Sequence, residues 1–217
     1  RSAHATVAVV AGPVVTDLIV AREQGLWCEP GRFFIDPWLP VERALITHAH
    51  GDHARAGRAR YLAAREGERV LRARLGDIAL ETLDWRERID VNGVRVSFHP
   101  AGHVLGAAQI RLEHGGETWV VSGDYRLEAD RSCSAFEPLR CDVFVTESTF
   151  ALPIYRWQPQ REVIDEMLRW WTENADASRA SVLFCYALGK AQRILAGFAD
   201  AAGAPLPGAI VCHGAVE

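Results

Sequence analysis

Four potential metal ligands lie within six positions of the segment LITHAHGDHARAG, Leu45 to Gly57. The four are His48, His50, Asp52 and His53. They directly follow an apolar run, Ala44 to Ile46, that is typical of a buried strand. Side chains alternate between two faces along an extended segment, so His48 and His50 are expected to point the same way. Neutral imidazole is the usual nitrogen ligand of zinc, and the segment therefore predicts a metal site at a strand end. An exposed polar turn is the alternative, which four ligands in six positions disfavour.

Two further candidate ligands follow other apolar runs. His103 lies in HPAGHVLGAAQI among small residues that permit close backbone approach, and Asp124 ends the run VVSGD. Taken alone, Asp124 fits a turn or the start of a helix equally well. In the company of His103 and the histidine cluster, its carboxylate is predicted to bridge two metal ions.

The order of predicted elements indicates an α/β chain that changes character near residue 150. Strands are predicted in the first part at Ala5–Val15, Arg32–Asp36, Ala44–Thr47, Gly93–Pro100 and Cys141–Ser148, with a hairpin over Ala107–Asp124 that turns at Gly115 and Gly116. Helices are predicted over 160–175 and 189–203, and strands over 181–188 and 208–214. Alternating strands and helices favour a parallel α/β unit, so a domain boundary is predicted just after Thr149.

The motif THAHGDH, followed by His103 and Asp124, resembles the signature of the metallo-β-lactamase superfamily. The resemblance implies an αββα sandwich, with residues 1–149 as the N-terminal portion of that domain. It also implies two divalent metal ions, zinc first and manganese as the alternative. His48, His50 and His103 would bind one ion, Asp52 and His53 the other, and Asp124 would bridge them.

Two further stretches resemble the β-CASP branch of this superfamily, the nucleases of DNA repair and RNA 3′-end processing. They are VTESTF around Glu147 and ALGKAQRIL around Lys190. Residues 150–217 would then be the beginning of a β-CASP domain. Asp52, which would orient the attacking water, and Glu147 are the implied catalytic residues. CEPGRFFIDPWLPVERALITHAHGDHAR, HPAGHVLGAAQIR and ESTFALPIYRW look like bacterial ligase-associated DNA exonucleases.

The chain departs from the family pattern at its end. β-CASP enzymes carry two later histidine motifs, and His213 in VCHGAVE comes too early to supply them. The chain is therefore expected to be the N-terminal part of a longer protein, with the leaving-group acid and the last metal ligand outside it. By itself it could be inactive.

Substrate contacts are predicted from charge and from the motif residues. Between His53 and Leu75 there are seven arginines against two glutamates, a local charge of +5. Arginine's planar fork suits phosphate. Because the chain has a single lysine, codon composition is an equal alternative explanation for its arginines. The predicted contacts are Arg55, Arg58, Ser148, Thr149 and Lys190. Aromatic residues at 155, 157, 170 and 171 could stack on bases or belong to a core.

Together these features predict a metal-dependent exonuclease that hydrolyses DNA in bacterial repair. Its expected partners are nucleic acid, DNA more than RNA, with an ATP-dependent DNA ligase and a helicase. An RNA-processing β-CASP ribonuclease and a non-catalytic nucleic-acid-binding fragment are the alternatives. Five widely spaced cysteines favour the bacterial cytoplasm. No stretch approaches the roughly 20 apolar residues of a bilayer span, so no membrane association is expected.

Overall fold

A computed structural model describes residues 17–129, 131–201 and 205–216 of the chain. The strand predicted at Ala5–Val15 lies outside the described residues. The chain divides into two compact units, Arg1–Ala129 with Cys133–Thr149 and Asp130–Ser132 with Phe150–Glu217.

The first unit contains a six-stranded sheet in simple sequential order. Its strands are β1 (Ile19–Arg22), β2 (Gly25–Cys28), β3 (Phe33–Ile35), β4 (Arg43–Ile46), β5 (Arg60–Ala64) and β6 (Leu80–Leu83). Strands β1 to β3 are antiparallel, whereas β3 to β6 are parallel. A 3-10 turn at Arg65–Gly67 and helix α1 (Glu68–Leu75) connect β5 to β6. Because β3 and β4 are parallel, the residues that follow them meet at one edge of the sheet.

The second sheet of this unit has five strands in the order β11-β10-β9-β8-β7. They are β7 (Arg88–Val91), β8 (Val94–Pro100), β9 (Ala108–His114), β10 (Glu117–Val121) and β11 (Val143–Val145). The strands β7 to β10 form antiparallel hairpins, and β11 is parallel to β10. Gly115 and Gly116 both have positive φ, 60° and 87°, which is the backbone conformation of a tight hairpin turn.

The core lies between the two sheets. Leu45 and Ile35 from the first sheet share one buried cluster with Val96, Phe98 and Ile110 from the second. Alternating apolar residues on β8 place Val94, Val96 and Phe98 on the covered face, each fully buried. The predicted α/β fold with a sandwich of two sheets is confirmed, as are the strands predicted at β3, β4, β8, β11 and the β9–β10 hairpin.

The second unit contains helices α2 (Gln160–Asp176) and α3 (Lys190–Ala201), as predicted. They pack closely where Gly197 faces Ile164, since a β-carbon on Gly197 would lie 2.6 Å from the Ile164 side chain. The strands predicted over 181–188 and 208–214 are wrong, because these described segments form no strand. Phe184 and Val211 there are 96% and 92% exposed, so neither segment has the covered face that stabilises a strand.

Among the residues that the structure describes, no helix combines the length and the apolar composition needed to cross a bilayer.

Candidate metal centre

Three loops meet at the edge of the sandwich where the strands end. They follow β4 (Thr47 onward), join β8 to β9 (residues 101–107), and follow β10 (residues 122–124). The Ala108 amide donates to the Thr47 carbonyl at 2.8 Å, which ties the two sheets together here. Gly123 has a positive φ of 56°, and a β-carbon on it would lie 2.7 Å from Thr47 Cβ. Only glycine allows the β10 loop to approach the β4 loop this closely.

Four of the predicted ligands converge at this edge. His48, His50, His103 and Asp124 each offer one ligand atom, and these atoms all lie within 4.8 Å of one another. His50 Nδ1 is 3.0 Å from His48 Nε2 and 3.3 Å from His103 Nε2. Asp124 Oδ2 is 3.8 Å from His48 Nε2 and 3.6 Å from His103 Nε2. Three imidazole nitrogens and one carboxylate oxygen fit the donor set and number of a zinc ion.

The other two predicted ligands are His53, which lies near the second oxygen of Asp124, and Asp52, which lies near His53. His53 Nε2 is 3.4 Å from Asp124 Oδ1 and 3.9 Å from Asp52 Oδ2. The two oxygens of Asp124 therefore face two different groups of ligands, which is the arrangement that a bridging carboxylate requires. The Asp52 side chain is 74% exposed, so this side of the centre is open to solvent.

Asp36 belongs to the site and was not predicted. It follows β3 and accepts hydrogen bonds from the Thr47 amide (2.8 Å) and the Thr47 hydroxyl (2.5 Å). Its Oδ2 also lies 2.7 Å from His53 Nδ1. Histidines that bind metals usually donate their second ring N–H to a carboxylate, which leaves Nε2 free for the ion. The sequence carried a signal for this residue, since Asp36 directly follows an apolar strand, and His48 and Asp124 come two and three residues after theirs.

Burial and neighbouring charge set the protonation of the centre. Burial lowers the pKa of His48 well below its usual value, and the imidazoles of His53, His50 and His103 lower it further, so His48 is neutral at pH 7. Burial also lowers the pKa of His53, but Asp36 and Asp124 outweigh this and raise it to about 11. A cation bound at Nε2 of His53 would displace this proton. Burial raises the pKa of Asp124, yet the hydrogen bond and charge of His53 lower it below its usual range. Asp124 is therefore ionised.

The loops that carry the ligands are braced by backbone contacts. The Arg74 guanidinium donates to the carbonyls of Ala49 and Ala54, which flank the ligands of the β4 loop. Gly102, with a φ of 73°, lets the His103 loop pass against the backbone of Arg126 and Phe136. Residues outside the histidine motif therefore stabilise the loops that carry the ligands.

The predicted substrate contacts divide into different environments. Arg58 is only 7% exposed, and its guanidinium donates to the carbonyls of Pro37 and Ala56. This burial corrects the prediction of a substrate contact, because the guanidinium has a structural role. Arg55 is exposed and donates to the Trp38 carbonyl at 3.4 Å.

The other predicted contacts lie after β11 and in the second unit. Glu147 accepts a hydrogen bond from the Thr149 amide at 3.1 Å, and its own amide donates to Ser122 Oγ at 3.4 Å, at the end of β10. Ser148 and Thr149 are exposed. Lys190 begins α3 and places its ammonium 4.8 Å from the centre of the Tyr186 ring.

The chain is similar in sequence to parts of several longer proteins. No family model matches the chain. It is 30% identical over 180 residues to a probable DNA ligase of Opitutus terrae, which covers 81% of this chain and 18% of the ligase. It is 35% identical over 118 residues to Endoribonuclease YSH1 of Yarrowia lipolytica, covering 54% of this chain and 14% of that protein. Cleavage and polyadenylation specificity factor 73 of Drosophila melanogaster is 34% identical over 118 residues, covering 54% and 17%. The chain thus spans less than a fifth of each of these relatives.

Solved structures are similar only at a low level. A protein of unknown function from Enterococcus faecalis V583 is 16% identical, with a TM-score of 0.44 over 60% of this chain and 39% of that one. A mutant of CmlA beta-hydroxylase is also 16% identical, with a TM-score of 0.41 over 55% and 32%.

The sandwich, the ligand motif at its edge and the endoribonuclease and ligase relatives agree with one another. The chain belongs to the β-CASP branch of the metallo-β-lactamase superfamily.

Proposed function

We propose that this chain is part of a metal-dependent nuclease that hydrolyses phosphodiester bonds of DNA, an exonuclease of bacterial DNA repair. The observation that carries the proposal is Asp124, whose Oδ2 lies near His48 and His103 while its Oδ1 lies near His53. The similarity to a probable DNA ligase supports a role beside a DNA ligase. A helicase is proposed as a further partner. Five widely spaced cysteines without a Cys-x-x-Cys pair support a reducing bacterial cytoplasm.

The geometry supports two ligand sets. His48, His50 and His103 with Asp124 Oδ2 would hold one ion, and Asp52 and His53 with Asp124 Oδ1 would hold the other. Zinc fits the nitrogen-rich donors, with manganese as the alternative. Two bound divalent ions would lower the pKa of a water molecule and offset negative charge on the phosphate.

The protein's own side chains would supply orientation. Asp52, exposed at the open side of the centre, would accept a hydrogen bond from the attacking water and aim it at phosphorus. Asp36 would hold His53 so that Nε2 faces Asp124. Glu147 would support catalysis from the segment that follows β11, where it accepts a hydrogen bond from the Thr149 amide.

Substrate contacts are proposed for exposed groups on both units. Ser148, Thr149 and Arg55 would contact the sugar–phosphate backbone from residues 1–149, the metallo-β-lactamase portion. Lys190 would contact phosphate from residues 150–217, the beginning of a β-CASP domain. Such contacts add affinity without sequence preference.

An RNA-processing ribonuclease is the second candidate. The observation that favours it is the similarity to endoribonucleases, 35% identity over 118 residues. The proposed metal centre would act on the phosphodiester bond of DNA or of RNA alike, so the substrate has to be tested directly.

Cleavage of end-labelled single strands tests both candidates. The full-length natural protein and this chain are incubated with DNA and RNA of one sequence, with zinc or manganese or with EDTA. Asp124→Ala is compared with Asp77→Ala, which removes an exposed aspartate outside the centre. We expect a metal-dependent ladder on DNA, reduced more than about 100-fold by Asp124→Ala and unchanged by Asp77→Ala.

Each other outcome points elsewhere. Equal or faster cleavage of RNA would favour the ribonuclease. Undiminished cleavage by Asp124→Ala would overturn the two-metal mechanism. Binding of nucleic acid without cleavage by either form would favour a non-catalytic binding module.

A further inference from the structure

An exposed aromatic cluster lies in the segment between β11 and α2. Its members are Phe150, Tyr155 and Trp157, all in the second unit. They remain 54%, 42% and 72% exposed although they contact one another. By contrast, Trp171 of the same unit packs on the buried Phe198, with ring centres 5.6 Å apart. Core packing therefore accounts for Trp171 but not for the three exposed rings.

The three rings have a defined arrangement. Tyr155 and Trp157 are parallel within 6°, with ring centres 6.3 Å apart. Phe150 lies 5.0 Å from each of them and nearly perpendicular to both, at 81° and 86°. The cluster thus offers two parallel flat faces that are supported by a third ring. Flat, solvent-exposed faces are what a planar aromatic ligand needs for stacking.

The charge around the cluster selects the kind of ligand. Residues 150–161 include Arg156, between the two parallel rings in sequence, and Arg161, but no aspartate or glutamate. Arg161 pairs with Asp165 at 3.3 Å, whereas Arg156 adjoins both parallel rings in sequence. A quaternary ammonium ligand would meet the positive charge of Arg156, and residues 150–161 offer it no carboxylate. An aromatic ligand that carries a phosphate meets both stacking faces and a guanidinium.

We propose that this aromatic cluster is a stacking site for an unpaired nucleobase, with the Arg156 guanidinium contacting the neighbouring phosphate. The proposal deepens the proposed nuclease function and rests on it for the identity of the ligand. In the chain the cluster begins at the residue after Thr149, so it is covalently attached to the segment assigned to substrate. A stacked base holds a single strand without reading its sequence, since every base has a flat aromatic face.

The contribution of base stacking to affinity can be measured by binding a single strand under conditions that prevent its cleavage. The anisotropy of a fluorescently labelled oligo(dT) is measured with the full-length protein in EDTA, and then with an abasic strand of the same length and charge. We expect the oligo(dT) to bind about tenfold or more tightly than the abasic strand, which is the size of one base–aromatic contact. Trp157→Ala and Tyr155→Ala should reduce this preference several-fold, whereas Trp157→Phe, which keeps a ring, should retain most of it.

The controls separate stacking from loss of structure and from failure of the nuclease proposal. Phe184→Ala removes an exposed aromatic outside the cluster and should leave the preference unchanged. Equal binding of both strands by the unaltered protein, or equal weakening of both strands by Trp157→Ala, would overturn the proposal. So would self-association that Trp157→Ala abolishes without a preference for bases. Base-dependent binding by a protein that cuts nothing would support the stacking site and reject the nuclease function, and cleavage without base dependence would do the reverse.

Discussion

The histidine loop after β4 and the arginine segment that follows it, residues 55–74, are equally conspicuous in the sequence. They differ in whether their side chains come together in the structure. The histidine loop brings His48 and His50 together with His103 and Asp124 of two other loops, with ligand atoms within 4.8 Å of one another. The arginines separate into individual contacts. Arg60 pairs with Glu42 at 2.8 Å and Arg65 with Asp84 at 2.7 Å, whereas Arg58 is buried.

The difference shows which sequence signals carry spatial information. Ligand spacing along a strand end fixes direction as well as proximity, since alternate side chains share a face. A count of arginines fixes neither, because a long flexible side chain reaches carboxylates on other elements. Exposed pairs of this kind contribute little to stability and reduce the charge available to a nucleic acid. We therefore expect substitutions around the histidine loop to change stability and metal binding, and substitutions in the arginine segment to have individual, smaller effects.

The largest effect is expected from Gly123→Ala in the loop after β10. The new methyl group would meet Thr47 Cβ at 2.7 Å, and Thr47 is held by Asp36. We expect a loss of about 2–4 kcal/mol in the free energy of unfolding, from left-handed strain and overpacking together. Chemical denaturation measures this loss, and metal content should fall with it.

Gly115→Ala is the matched control. Its φ of 60° is close to the 56° of Gly123, but a β-carbon there meets no atom within 4 Å. It should cost only the backbone strain, about 1–2 kcal/mol, and leave metal content unchanged. Equal losses for the two variants would show that the contact between the loops is unimportant.

The next effect is expected from Asp36→Asn beside His53. Asparagine can accept the hydrogen bond from the Thr47 amide as aspartate does. Its NH₂ group, however, would donate to His53 Nδ1, so the ring proton would lie on Nε2. We expect the affinity for the ion at His53 to fall about 10- to 100-fold. Titration of metal content should then show one tightly held ion, where we expect two for the unaltered protein. Two ions of unchanged affinity would contradict the role given to Asp36.

Fold and site were predictable to different depths for physical reasons. β8 was predicted because its apolar residues alternate over seven positions, Val94 to Pro100. β5, β6 and α1 were missed because they are short and begin or alternate with charged residues, so their periodicity is weak. The strand predicted over 181–188 is regular in sequence, but a strand also needs a partner and a cover, which no local pattern contains.

The site follows the same rule. The candidate ligands of one local motif, His48 to His53, were predicted together from the sequence. Asp36 lies 17 residues from His53, and Gly123 matters only because Thr47 lies opposite. Contacts between distant segments depend on how the sheets pack, which the linear sequence does not state.

A smaller effect is expected from Arg58→Met in the arginine segment. Methionine fills the space but leaves the Pro37 and Ala56 carbonyls without this donor. We expect a loss of about 1–2 kcal/mol in stability, measured by chemical denaturation. Arg69→Met, at an exposed position of α1, should change stability by less than about 0.5 kcal/mol. A stable Arg58→Met protein that binds DNA weakly would restore the predicted substrate contact.

The smallest effect is expected from Arg60→Gln, whose partner Glu42 already offsets its charge. Binding of single-stranded DNA is measured in EDTA over a series of salt concentrations, because each phosphate contact adds to the salt dependence of affinity. Arg55→Gln, at the exposed start of the segment, should reduce the slope of log affinity against log salt by about 1. Arg60→Gln should leave that slope unchanged. If both variants reduce it equally, the arginines act on nucleic acid as one surface despite their separate contacts, and the contrast with the histidine loop fails.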